Sequence, residues 1–170
     1  IWSFWLVRGP ISEGRAWLDR ALEESTGDEP ALPGALRGAG VLAHRYGDYG
    51  AARAHFEANL RAVERTGDPH QLGRSWSNLG IVAESEGRTD EARALFERAA
   101  EIAKEHGDEP VYAASISNLS DLAAGAEDYP EAERLAREAL ELDRRLGDDQ
   151  NLAVTLLNLG DAVLRQGRAG

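Results

Sequence analysis

A marker that returns at a fixed interval restricts a chain more than any single residue can, because every copy must fold alike and pack against its neighbours. Here Gly27-Asp28 returns as Gly67-Asp68, Gly107-Asp108 and Gly147-Asp148, each forty residues after the last. A second register keeps the same interval: Asn78-Leu79-Gly80, Asn118-Leu119-Ser120 and Asn158-Leu159-Gly160, with Gly38-Ala39-Gly40 as a degenerate earlier copy. Two markers in phase describe a stack of like units, not one irregular core.

Each Gly-Asp reads as helix punctuation. The glycine takes the left-handed conformation that closes one helix, and the aspartate accepts hydrogen bonds from the free N–H groups opening the next. Asp68-Pro69-His70-Gln71 adds proline at the first helical position and glutamine where a capping box places it. A second breaker divides every unit, at Gly47, Gly87, Glu127-Asp128-Tyr129-Pro130 and Gly167. The spacing predicts first helices over 30–46, 70–86 and 109–125, partners over 50–66, 89–106 and 130–146, and a lone helix over 150–166. It divides the chain into a partial unit 1–28 (a remnant over 1–8 and a helix over 10–26), full units 29–68, 69–108 and 109–148, and a closing half-unit 149–170.

Composition agrees and removes several function classes. Ala, Leu, Glu and Arg dominate, which is the composition of an all-α protein because these side chains lose little rotamer freedom in a helix. A formal charge of −11 argues against nucleic acid or an anionic membrane as a direct partner. With no cysteine, disulfides and thiolate chemistry are excluded, which fits a cytoplasmic setting. The chain contains no methionine and is read as a piece of a longer protein. Its opening Ile1-Trp2-Ser3-Phe4-Trp5-Leu6-Val7 is too short for a signal peptide or membrane span. That segment is apolar on more than one side, which points to a missing covering helix or to self-association through Trp2, Phe4 and Trp5.

Apolar residues follow helical spacing, with Trp76, Leu79, Gly80 and Ala83 on one helix and Ala92, Leu95, Phe96 and Ala99 on the next. Trp76-x-x-Leu79-Gly80 followed by Ala92-x-x-x-Phe96 resembles the tetratricopeptide repeat, and Ala52-x-x-x-Phe56 repeats its second half. Two departures are the unit length, forty where the family usually has 34, and Ala83 where the pattern prefers tyrosine. The resemblance implies a right-handed superhelical solenoid of antiparallel helix pairs. The long unit looks like those of kinesin light chains, Leu-Gly-Asn polarity adaptors and bacterial activators similar to the maltose regulator. Phe4-Trp5-Leu6-Val7-Arg8-Gly9 running into Ser12–Leu22 resembles the start of the repeats in LuxR or antibiotic-regulator-type bacterial transcription regulators. That resemblance implies the sensory or protein-binding arm of a regulator, with ATPase and DNA-binding parts elsewhere.

Solenoids bind partners on the concave side, lined mainly by first helices. If Trp76, Leu79 and Ala83 face the partner helix, then Arg74, Asn78, Ile81 and Ser85 share another face at i, i+4, i+7, i+11. The corresponding sets are Ala114, Asn118, Asp121 and Gly125; Val154, Asn158, Asp161 and Arg165; and Gly34, Gly38, Val41 and Arg45. Asn78, Asn118 and Asn158 then form a ladder of carboxamides able to pair with the main chain of an extended peptide; the alternative is that they bond a neighbouring helix and set the stacking. Arg74, Arg45 and Arg165 offer forks for carboxylates, and Asp121 and Asp161 sites for basic side chains, the bland alternative being a solvated face. The mixed signs disfavour a groove devoted to one strongly charged ligand.

No catalytic constellation stands out. His44, His55, His70 and His106 show neither i, i+4 pairing nor an H-E-x-x-H pattern, and no phosphate-binding loop or nucleophile elbow occurs. Asp121 and Asp161 lie one unit apart, on the order of 10 Å, too far for a carboxylate dyad. The expectation is a binding scaffold for a protein or peptide, without enzymatic activity, metal or cofactor. The competing reading is an assembly element associating through its apolar leading helix and solenoid ends.

Overall fold

The computed structural model describes residues 9–25, 29–147 and 149–167. They form α1 (Ile11–Glu23), α2 (Leu32–Tyr46), α3 (Tyr49–Thr66), α4 (Pro69–Ser85), α5 (Thr89–Glu105), α6 (Glu109–Gly125), α7 (Tyr129–Leu146) and α8 (Asp149–Arg165). No strand occurs among the described residues. The expected helix remnant over 1–8, with Trp2, Phe4 and Trp5, and the first Gly27-Asp28 lie outside them.

The repeated punctuation acts through local chemistry. Gly67, Gly107 and Gly147 adopt φ of 67°, 70° and 66°, a conformation open to glycine without steric cost. Asp68 then accepts from the His70 and Gln71 amides at 3.0 and 3.3 Å, and Asp108 from the Val111 amide at 3.2 Å. Gln71 does not reach back to the main chain as a capping box would; its Nε2 donates to Asp68 Oδ2 at 2.7 Å. Within the pairs, Asp48 and Asp128 cap α3 and α7, and Glu127 takes a φ of 62° where other copies carry glycine.

Successive helices pack in chain order as antiparallel pairs, and the interior of each is narrow. Phe96, fully buried, abuts Gly80: a Cβ added there would come within 2.5 Å of the ring. The same ring joins Ile116 and Leu119 of α6, so one side chain closes its own pair and the next. Trp76 behaves differently from the sequence expectation. It packs against the cluster of Phe56 and Leu60, toward the preceding pair instead of its own partner alone.

First helices touch their counterparts one unit away, α4 with α6 and α6 with α8, and second helices show no comparable approach. Ser117 and Thr155 hydroxyls meet at 3.3 Å across that seam. A stack tighter on one side bends toward it, so the first helices form the inner wall.

Candidate functional site

The inner wall has a different character at each level. Asn78, Asn118 and Asn158 are half-buried. Asn158 Nδ2 lies 3.4 Å from the Ser117 carbonyl on the preceding first helix, a long contact that ties α8 to α6. Asn78 Nδ2 is buried without an acceptor, leaving a donor whose hydration has been lost without replacement. Ile81 is partly buried against the Phe96 cluster. Ser85 donates to the Ile81 carbonyl and meets His44 Nε2 at 2.8 Å, bridging α2 and α4. Burial and the neighbouring Arg45 guanidinium both hold the His44 imidazole below its ordinary pKa, so at neutral pH it is uncharged. Arg45 itself is exposed.

Charge is spread unevenly along this wall. At the C-terminal ends of the later first helices, Glu84, Asp121, Glu127, Asp161 and Arg165 line one open cleft of about 640 Å³. Arg165 is committed within it, its Nε donating to both Asp161 oxygens at 2.9 and 2.8 Å. Burial, reinforced by Asp121, pushes the Glu84 carboxyl up from its usual range. A raised carboxyl pKa means the ionised form is disfavoured there, and a cation placed in the cleft would relieve it.

Arg74 sits elsewhere, in a separate recess of about 140 Å³ with Arg37, Gln71, Asn59 and Ser75. Burial and proximity to Arg74 lower the Arg37 pKa while leaving it charged. Beneath them, Asn59 Nδ2 donates to the Pro33 carbonyl at 2.7 Å and Ser75 donates to Asn59 Oδ1 at 2.8 Å.

The structure therefore gathers Asp121, Asp161 and Arg165 in one cleft, places Arg74 in another recess, leaves Arg45 exposed and half-buries the three asparagines. Glu84, Glu127 and Arg37 are additions that the sequence reading missed. Glu84 follows Ile81 by three residues, one helical turn along the same face, so the signal was present in the spacing.

Among the described residues no three His, Asp or Glu side chains gather to hold a metal ion. Among the same residues no helix is long and apolar enough to cross a membrane.

Several solved structures share this architecture. BtubC (BKLC) from P. vanneervenii superposes with a TM-score of 0.79 at 20% identity, covering 98% of this chain and 70% of that one. A Podosopora anserina protein described as a kinesin light chain with nearly identical TPR-like repeats gives 0.74 at 15% identity, covering 99% and 84%. Aspartyl phosphate phosphatase F from Bacillus subtilis gives 0.81 at 16% identity, covering 98% of this chain but only 46% of that one. At these identities the likeness concerns the fold. No curated protein sequence matches the chain. The tetratricopeptide repeat family profile matches residues 31–105 and 111–170. With the paired helices, the seated Phe56 and Phe96 and the repeated Asn-Leu-Gly, that match places this chain in the tetratricopeptide repeat family.

Proposed function

We propose that the chain is a protein-interaction scaffold that binds an extended segment of a partner along the inner wall, with basic side chains of that segment in the Glu84–Asp121–Asp161 cleft. The observation that carries this reading is the separation of charge. The cleft holds four carboxylates and one arginine already paired with Asp161, whereas Arg37 and Arg74 lie together in a different recess. A segment with a basic stretch and a carboxylate further along would match both. Asn78, Asn118 and Asn158 would present carboxamides to its main chain, the buried Asn78 Nδ2 reaching it only after a shift of that side chain. Exposed Arg45 and the Ser85 hydroxyl border the same surface.

The segment 4–22 that resembles regulator repeats supports placing this scaffold as the sensory arm of a larger bacterial transcription regulator, acting in the cytoplasm. In that setting the partner, not a reaction, would carry the signal.

Selection of a random displayed peptide library against the chain tests the proposal. Enriched peptides should be rich in Arg or Lys and should lose binding on Asp121→Asn with Asp161→Asn, and on Asn78→Ala with Asn118→Ala, while helicity is retained. Binders indifferent to both double substitutions would sink the groove reading.

A further inference from the structure

Three polar residues gathered at one level of the stack have no counterpart at the others. The positions matching Arg37 hold Ser77, Ser117 and Leu157, those matching Arg74 hold Gly34, Ala114 and Val154, and in the later units Ala99 and Ala139 match Asn59. The other levels stack without this trio, so stacking does not require it. Yet the three meet in one recess of about 140 Å³ at the junction of α2, α3 and α4. That space is too small for a folded segment and ample for one tetrahedral anion.

The recess is cationic. None of the described residues lining it is acidic, although Asp and Glu outnumber Lys and Arg by 30 to 19 in the chain. Elsewhere arginine takes carboxylates, as where Arg53 lies 2.8 Å from both Glu86 and Glu91. Here two guanidiniums share one space, and burial together with the Arg74 charge holds the half-buried Arg37 below its ordinary pKa. The floor beneath them is fixed, because Asn59, 2% exposed, donates to the Pro33 carbonyl and accepts from the Ser75 hydroxyl. The first turn of α2 borders the same space. Ala31 offers it no side-chain cap, and no atom lies within 4 Å of where a Cβ on Gly34 would stand. An anion can therefore approach a helix start whose free N–H groups favour negative charge.

We infer that this recess is a seat for one phosphoryl dianion, gripped by Arg37 and Arg74 against the first turn of α2. A phosphate monoester at neutral pH carries about 1.5 to 2 negative charges and three strong acceptor oxygens, enough to serve both guanidinium forks. A carboxylate brings a single charge and two oxygens, and leaves the repulsion between the two cations half relieved. The inference rests on the inner-wall reading for its source alone. On that reading the group is a phosphorylated side chain of the bound segment, in place of a carboxylate; without it, the group is a free phosphate.

The test is an NMR titration of the ¹⁵N-labelled 170-residue chain, following the arginine Nε–H signals. The probes are a capped glycine pentapeptide with phosphoserine at its centre, the same peptide with serine or glutamate there, and inorganic phosphate. The phosphopeptide should bind at least about tenfold more tightly than the other two peptides, and should tighten as pH rises through about 6, where the second phosphate proton is lost. Arg37→Gln and Arg74→Gln should each weaken it at least about tenfold. Arg74 is exposed, so its variant keeps the test open even if Arg37→Gln fails to fold. Equal binding by the glutamate peptide, or by the Arg74→Gln chain, would overturn the inference. Inorganic phosphate binding as tightly as the phosphopeptide, and lost in Arg74→Gln, would uphold the seat and make free phosphate its ligand. Phosphopeptide binding unaffected by Asn78→Ala with Asn118→Ala would uphold the seat while the groove reading falls. Selection of basic peptides that depend on Asp121 and Asp161, with no preference for phosphoserine, would do the reverse.

Discussion

The pairs α4·α5 and α6·α7 occupy the same place in successive repeats and close the same gap with different chemistry. In the first, a fully buried aromatic ring presses on a glycine Cα, and the contact is one of shape. In the second, Ser120 donates to the Ala132 carbonyl at 2.8 Å, Ala136 leaves room for it, and Leu119, Leu122 and Leu135 supply the apolar volume. What the repeat preserves is thus the separation of the helices. The residues that maintain it change in compensating sets, because a close-packed interior tolerates redistribution of volume better than its loss or excess.

The largest test of this contrast is Phe96→Ala. Removing the ring should cost about 3–5 kcal/mol in urea unfolding, since a buried phenylalanine loses both transfer energy and packing. Gly80→Ser alone should cost about 1–3 kcal/mol, its Cβ meeting the ring. Together they recreate the Ser/Ala pairing of the next repeat, and their combined cost should fall below the sum of the singles by about 1 kcal/mol or more. Strict additivity would break the idea that the two positions are coupled.

A smaller effect is expected in the other pair. Ser120→Ala removes a hydrogen bond and leaves the Ala132 carbonyl without that donor, for a loss of about 1 kcal/mol in the same unfolding measurement. A loss as large as that of Phe96→Ala would mean that α6·α7 depends on a single contact as α4·α5 does.

The smallest change sharpens the comparison by pH. Neither interface contains an ionisable group at its centre, so the costs of Phe96→Ala and Ser120→Ala should be the same at pH 7 and near about pH 3.5. The parent stability should nonetheless fall over that interval. The Ala51 amide and Arg15 hold the Asp48 carboxyl below its ordinary range, hydrogen bonds from Gln71 do so for Asp68, and Arg53 does so for Glu86. A depressed folded pKa stabilises above the unfolded value, about 3.9–4.3, and that contribution disappears as pH falls through the folded value. Glu84 acts in the opposite sense: its raised pKa destabilises the neutral-pH fold, and protonation removes that cost. Urea midpoints of the three proteins at both pH values read these terms separately.

How far the sequence carried the interpretation differs between levels. Helix boundaries were legible because Gly67-Asp68 and Gly107-Asp108 act through bonds a few residues away, and an expected span of 70–86 appears as Pro69–Ser85. Gly80 and Phe96 were legible as members of the apolar faces of adjacent helices, but their direct contact was not. Partners set by the rotation between helices were not. The spacing of Glu141 and Arg145 fits an i, i+4 pair, yet Arg145 reaches Glu109 at 2.9 Å, and Trp76 turns toward the preceding repeat. In the candidate site, the spacing singled out Asp121, Asp161 and Arg165, whereas the half-burial of Glu84 depends on how α6 lies beside α4.

The periodic markers by themselves determined that this chain is a stack of helix pairs, because each one ends or begins a helix through its own backbone geometry and needs no distant residue. Only the tertiary structure decided that Glu84, Asp121, Glu127 and Asp161 share one cleft while Arg37 and Arg74 share another recess. That grouping depends on how residues from different helices are brought side by side, and it leaves no mark at any single position.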